Sequence, residues 1–169
     1  YAGAAQLLDK VMILEPKNPL WLCQRATVRF DMGEISLAHR DLDAALALDT
    51  RCAPAYLQRG HIELFHGDKA KAVPELRRSL AIDDEIPLAH VELAIALQAG
   101  GKADQALVVL DRAAARFAHC VELRCFHAEM IGAAGDLVTS MAHFREIVDS
   151  SPTCPLPYLH TALLLASLG

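Results

Sequence analysis

Residues Ala53 to Ile86, APAYLQRGHIELFHGDKAKAVPELRRSLAIDDEI, decide the fold. The stretch reads as one helix, a Gly-Asp turn and a second helix. Its landmarks recur along the whole chain with a step of 34. Glycine stands at Gly33, Gly67, Gly101, Gly135 and Gly169. A small residue recurs at Ala26, Gly60, Ala94, Ala128 and Ala162, and another at Ala4, Ala38, Ala72, Ala106 and Ser140. Four residues after this last set come Leu8, Leu42, Leu76, Leu110 and Phe144. One helix pair cannot bury its apolar face alone, so pairs of this kind must stack. The reading is an all-α solenoid of antiparallel helix pairs.

The period divides the chain. Residues 1–18 supply the second helix of a repeat. Full repeats follow at 19–52, 53–86, 87–120 and 121–154, and 155–169 supplies the first helix of another. Both ends fall inside repeats, so the reading is a piece of a longer array. Helices are expected at 2–15, 19–32, 36–49, 53–66, 69–82, 87–99, 103–117, 121–134, 137–149 and 156–168. The glycines let the chain reverse between paired helices, and Asp68 and Asp136 cap the helices that follow. The small residues bring two backbones close, with Leu42 and its equivalents filling the gap. Pro74 lies past the first turn of its helix and removes a backbone hydrogen bond, so a modest kink or a late helix start is expected.

Composition narrows the function. Hydrophobic residues make up 53% and aromatics 5%, so the apolar content is mainly Ala and Leu. That suits close-packed helices. The net charge of −5, with both signs interspersed, excludes the basic stripe that nucleic acid requires. Five cysteines, odd in number and without CxxC, read as reduced thiols in a reducing compartment. His119, Cys120 and Cys125 match no structural zinc spacing. No signal peptide opens the chain. The uncharged stretch Ser150–Gly169 contains Pro152, Pro155 and Pro157, and its apolar run is too short to cross a bilayer. The eight histidines form no HExxH motif, and no phosphate-binding glycine loop occurs. Binding without catalysis, cofactor or metal is the expectation.

A helix-turn-helix unit of this period resembles the tetratricopeptide repeat (TPR). The resemblance implies a right-handed superhelix whose first helices line a concave groove. On its pattern, residues 2, 5, 9 and 12 of each repeat face the groove. Residue 5 gives Cys23, Leu57, Val91, Cys125 and Leu159. Residue 9 gives Thr27, His61, Ile95, Glu129 and Leu163. Residue 12 gives Phe30, Leu64, Gln98, Gly132 and Ala166, and residue 2 gives Leu20, Pro54, Leu88, Glu122 and Leu156. These 20 positions hold no Lys or Arg. Co-chaperone TPR domains grip the terminal carboxylates of heat-shock chaperones with basic residues here and at residue 6. This chain has Gln58, Glu92 and Phe126 at residue 6, so that clamp cannot be assembled. An apolar or amphipathic polypeptide segment is the expected ligand. Arg25 and Arg59, with Asp41 and Glu75 sixteen residues on, read as bridges between the two helices of a repeat rather than as an anion site.

Two narrower resemblances follow. Tyr56 with Arg59-Gly60, then Pro87-Leu88, Glu92-Leu93-Ala94 and Arg116-Phe117, is similar to the TPR-type preprotein receptor of the mitochondrial outer-membrane TOM complex. Val121-Glu122, Phe126, Ala128-Glu129, Gly135-Asp136, Pro155-Leu156 and Thr161 to Leu164 extend the likeness. It departs at Ala118, where the family has proline, and between Arg145 and Pro155. It implies a cytosol-facing segment that binds precursor proteins, with chaperones engaged by upstream repeats. Arg25 to Val28, Met32-Gly33 and Leu57 to Ile62 resemble J-domain-type TPR co-chaperones. That likeness implies a soluble co-chaperone or assembly scaffold with no import role.

Overall fold

The computed structural model describes residues 2–168, apart from the side chains of Ala2, Ala4, Ala5, Gln6, Met12 and Leu168. Gly169, and the side chain of Ala4, each an end member of a register, therefore lie outside the described residues. The described residues form ten helices and no strand. They are α1 (Ala2–Leu14), α2 (Pro19–Asp31), α3 (Ile35–Leu48), α4 (Ala53–Phe65) and α5 (Lys69–Ile82). Then come α6 (Pro87–Ala99), α7 (Ala103–Arg116), α8 (Val121–Ala133), α9 (Leu137–Ser150) and α10 (Leu156–Leu168). Each end falls within a residue or so of the position that the 34-residue step predicts.

The turns explain that regularity. Gly33, Gly67, Gly101 and Gly135 all have positive φ, between 74° and 104°. In each turn the glycine N–H donates to the carbonyl three residues back, and the next N–H donates to the carbonyl five back, as in Gly33 to Phe30 and Glu34 to Arg29. This is a Schellman ending, which satisfies carbonyls that a helix C-terminus otherwise leaves open. Asp68 and Asp136 then accept the N–H groups of Lys71 and Thr139 at 3.1 and 3.0 Å. Asn18 caps α2 in the same manner through Leu20 N–H.

The chain packs as two compact units, Tyr1–Glu92 and Leu93–Gly169. In the first unit α2 pairs with α3 and α4 with α5, while α1 packs on α2. Its core includes Leu22, Ala26, Ala38, Leu42, Ala45, Ala55 and Ile62. In the second unit α8 pairs with α9, flanked by α7 and α10, around Cys125, Ala128, Phe144, Ile147 and Leu164. The small registers do the work expected of them. Ala26, Ala38, Gly60, Ala72, Ala94, Ala106, Ala128 and Ser140 are buried, as are Leu42, Leu76, Leu110 and Phe144. Ser140 keeps its hydroxyl satisfied by donating to the Ala128 carbonyl at 2.6 Å. Ala162, the last member of its register, is exposed.

Pro74 lies inside α5, which starts at Lys69. A late helix start is therefore excluded. The missing N–H instead leaves the carbonyl one turn earlier without its helical donor.

Candidate ligand groove

Each unit carries its own stretch of first-helix surface. In the first unit, position 9 gives Thr27 and His61 and position 12 gives Phe30 and Leu64, all partly exposed. The Phe30 and His61 rings meet edge to face with centroids 5.3 Å apart. Neighbouring helices α2 and α4 thus form one continuous surface at these positions. Phe65 extends it, edge-on to Phe30 at 5.2 Å and 74% exposed. In the second unit Ile95 and Glu129 are partly buried, Gln98 is exposed, and Leu159 and Leu163 are half-exposed.

Position 5 departs from the expectation. Cys23, Leu57, Val91 and Cys125 are 4, 7, 2 and 0% exposed. At these four positions the side chains belong to the packed interior, and at position 5 Leu159 is the described residue that offers surface. Of the thirteen candidate groove residues, the accessible ones are therefore those at positions 9 and 12, together with Leu159.

One pairing was not foreseen. His61 Nδ1 lies 2.6 Å from Glu92 Oε1, and His160 Nδ1 lies 2.5 Å from Glu129 Oε2. Both pairs join position 9 of one first helix to position 6 of the next, 31 residues on, with acid and base exchanged. A 34-residue step minus roughly one helical turn is the signal that could have found them. Glu92 is buried, and its other oxygen has no hydrogen-bond partner. Its hydrogen bond, reinforced by its charge and that of Asp31, raises the His61 pKa above the ordinary 6.5 against the opposing effect of burial. Phe126 packs edge-on to His160 at 4.9 Å.

The arginines are structural in part as expected. Arg25 grips Asp41 with two nitrogens, at 2.9 and 2.6 Å, and Arg29 adds a third contact at 2.7 Å. Asp41 is buried, so the cluster supplies the charge that it needs. Arg59 is a correction: it pairs with Asp43 on the preceding helix α3, not with Glu75. The reason is a second register. Position 7 of a repeat meets an aspartate at position 25 of the repeat before, as in Arg25–Asp9, Arg59–Asp43 and His127–Asp111. Asp43 and Glu75 lie sixteen residues to either side of Arg59, so spacing alone could not choose between them. Glu75 instead lies 3.5 Å from Arg78, one turn along its own helix.

Two further features lie away from the groove positions. A polar cavity of about 470 Å³ is lined by His39, Asp43, Arg59, Glu63, Lys71, Pro74 and Glu75. An apolar one of about 890 Å³ opens between α9 and α10 against Leu137, Val138, Met141, Tyr158 and Leu165. Among the described residues, no three His, Cys, Asp or Glu side chains converge to hold a metal ion. None of the described helices is long and apolar enough to cross a membrane.

Comparison with known proteins agrees with this architecture. A tetratricopeptide-repeat family model matches residues 23–86. No curated protein matches the chain by sequence. Among solved structures, the thermophilic TPR protein TTC0263 of Thermus thermophilus is similar over 98% of this chain and 91% of its own, with TM-score 0.80 and 19% identity. YrrB, described as a TPR protein with an unusual peptide-binding site, is similar over 97% of this chain and 84% of its own, with TM-score 0.71 and 20% identity. A tetratricopeptide repeat protein from Parabacteroides merdae is similar over 99% of this chain and 65% of its own, with TM-score 0.76 and 17% identity. The chain therefore carries the TPR fold, an all-α solenoid of antiparallel helix pairs.

Proposed function

We propose that this chain is a protein-binding scaffold that captures extended apolar or amphipathic polypeptide segments along its first helices. The observation that carries the reading is the continuity of positions 9 and 12 across adjacent first helices, with Phe30 against His61 and His61 joined to Glu92. A segment laid across them touches more than one repeat at once. Burial of its apolar side chains contributes about 25 cal/mol per Å². Ordering the segment offsets much of that gain, so the affinity is micromolar. The absence of Lys and Arg at the groove positions makes the binding insensitive to salt. Binding, not catalysis, is the activity.

The narrower reading is a precursor-binding segment of a mitochondrial import receptor, facing the cytosol. It rests on the residue likeness that is densest from Phe126 to Asp136. A soluble co-chaperone or assembly scaffold is the other reading of the same groove.

The test is a fluorescence-anisotropy titration of an apolar precursor peptide against the wild type and a Leu64→Asp/Leu163→Asp variant. These two residues are accessible, whereas Leu57 is buried and its replacement would perturb folding. An affinity loss of tenfold or more, equal at low and high salt, is expected. Unchanged affinity in the variant, or binding abolished by salt alone, overturns the reading. Tight binding of an acidic chaperone C-terminal peptide would restore the carboxylate clamp. Equal affinity for precursor and unrelated apolar peptides would remove the import-receptor version alone.

A further inference from the structure

All five cysteines occupy two registers of the repeat. Cys23 and Cys125 stand at position 5, and Cys52, Cys120 and Cys154 at position 34, so 29 residues separate Cys23 from Cys52 and Cys125 from Cys154. The second repeat holds Leu57 and Ile86 at these positions, and the third holds Val91 and Cys120. In the first unit the register becomes a contact: Cys23 Sγ lies 3.7 Å from Cys52 Sγ, with both residues 4% exposed. Cys23 lies mid-helix on α2, and Cys52 is the residue that precedes α4. Their surroundings are aliphatic, with Leu22, Ala26, Ala38 and Leu42 in the same cluster. In the second unit, burial first and the charge of Cys154 second push the Cys125 thiol up to about 11.

We propose that Cys23 and Cys52 are a reversible oxidation site, a dithiol that a two-electron oxidant of the hydroperoxide class converts into an intramolecular disulfide. One thiol loses its proton to solvent, and the thiolate attacks a peroxide oxygen. The O–O bond breaks, and the departing hydroxide takes up a proton to become water. The sulfenic acid so formed is attacked by the second thiolate. The S–O bond breaks, the S–S bond forms, and a second water leaves. The two sulfurs together give up two electrons, and the peroxide is reduced to two waters. A dithiol reductant reverses the change by thiol–disulfide exchange. The sulfurs already touch, so closing to a bond of about 2.0 Å requires only small side-chain and backbone adjustment. Burial pushes the Cys23 thiol well above its usual range and shields both sulfurs from solvent, so oxidation proceeds through transient opening and is slower than at an exposed cysteine. The product ties the middle of α2 to the start of α4 and closes the first full repeat on itself.

The test uses the whole chain, treated with hydrogen peroxide under native conditions, quenched with a thiol alkylator and mapped by mass spectrometry. The expected result is a peptide linking Cys23 to Cys52 in monomeric protein. It should vanish on reduction, be missing in Cys23→Ser and in Cys52→Ser, and persist in Cys120→Ser. The oxidised chain should melt several degrees above the reduced one. The wild-type map alone decides the matter if a serine variant fails to fold. Cys23 and Cys52 both remaining alkylatable while other cysteines oxidise overturns the proposal. So does recovery of Cys23 as a sulfinic acid or in a link to any other cysteine.

Discussion

Gly60→Ala offers the sharpest test of how paired helices are held together. A Cβ at this position on α4 would stand 2.5 Å from Leu76 Cγ and 2.7 Å from its Cδ2. Carbon atoms in contact prefer about 3.5–4.0 Å, so Leu76 must retreat by an ångström or more. Leu76 is wholly buried, so that retreat presses on its packed neighbours. Overpacking of this kind costs about 1–3 kcal/mol. Replacing glycine by alanine inside a helix returns about 1 kcal/mol. Because the clash is severe, the net loss should be about 1–2 kcal/mol. Leu76→Ala alone should cost about 2–5 kcal/mol, since it opens a cavity in the same place. In that background the sign reverses: the new methyl enters the cavity, and Gly60→Ala gains about 1 kcal/mol. Urea unfolding of the four proteins, followed by far-ultraviolet circular dichroism, gives the coupling energy directly. Equal effects of Gly60→Ala in both backgrounds would refute the claim that the small register exists to admit Leu76.

Other outcomes follow from the same structure. Arg25→Ala leaves the buried Asp41 with Arg29 alone and should cost about 2–3 kcal/mol in the same assay, toward the low end for a broken buried pair. Arg59→Ala should cost less than about 1 kcal/mol, because its partner Asp43 is mostly exposed. His61 should titrate above 6.5 by nuclear magnetic resonance, and Glu92→Gln should bring it down. Since the folded value is the raised one, the stabilisation from this pair is complete below pH 6.5 and disappears as pH rises through the folded pKa. Gly67→Ala should lose about 1 kcal/mol, because φ of +79° is strained for a residue with a Cβ.

The periodic features were legible because the repeat states them four or five times. Gly33 and its equivalents announced the turns, and Asp68 and Asp136 their caps, since local backbone chemistry decides both. The close approach at Gly60 followed from pairing a small register with a bulky one. What escaped was anything fixed by the neighbouring repeat. Cys23 and Leu57 stand at position 5, yet they are buried, because exposure is set by the helices that pack around a residue. Arg59 had two carboxylates at equal distance along the sequence, and only the packing of α3 against α4 selected Asp43. His61 and Glu92 each stand out in the sequence, one at a groove position and one at a clamp position. Their partnership joins residues 31 apart on successive first helices, which the pattern of a single repeat does not contain.

The ladder from position 7 to position 25 has a consequence for how such arrays lengthen and shorten. Each rung spans a repeat boundary, so a recombination event at that boundary chooses a new partner for both ends. Removing residues 53–86 would set Asp43 against Leu93, an acid against an alkyl chain. Removing 87–120 would set Arg77 against His127, two bases. Removing both repeats together would set Asp43 against His127 and restore the acid–base match. On this register alone, losing two repeats together keeps an acid opposite a base, whereas losing either one by itself does not.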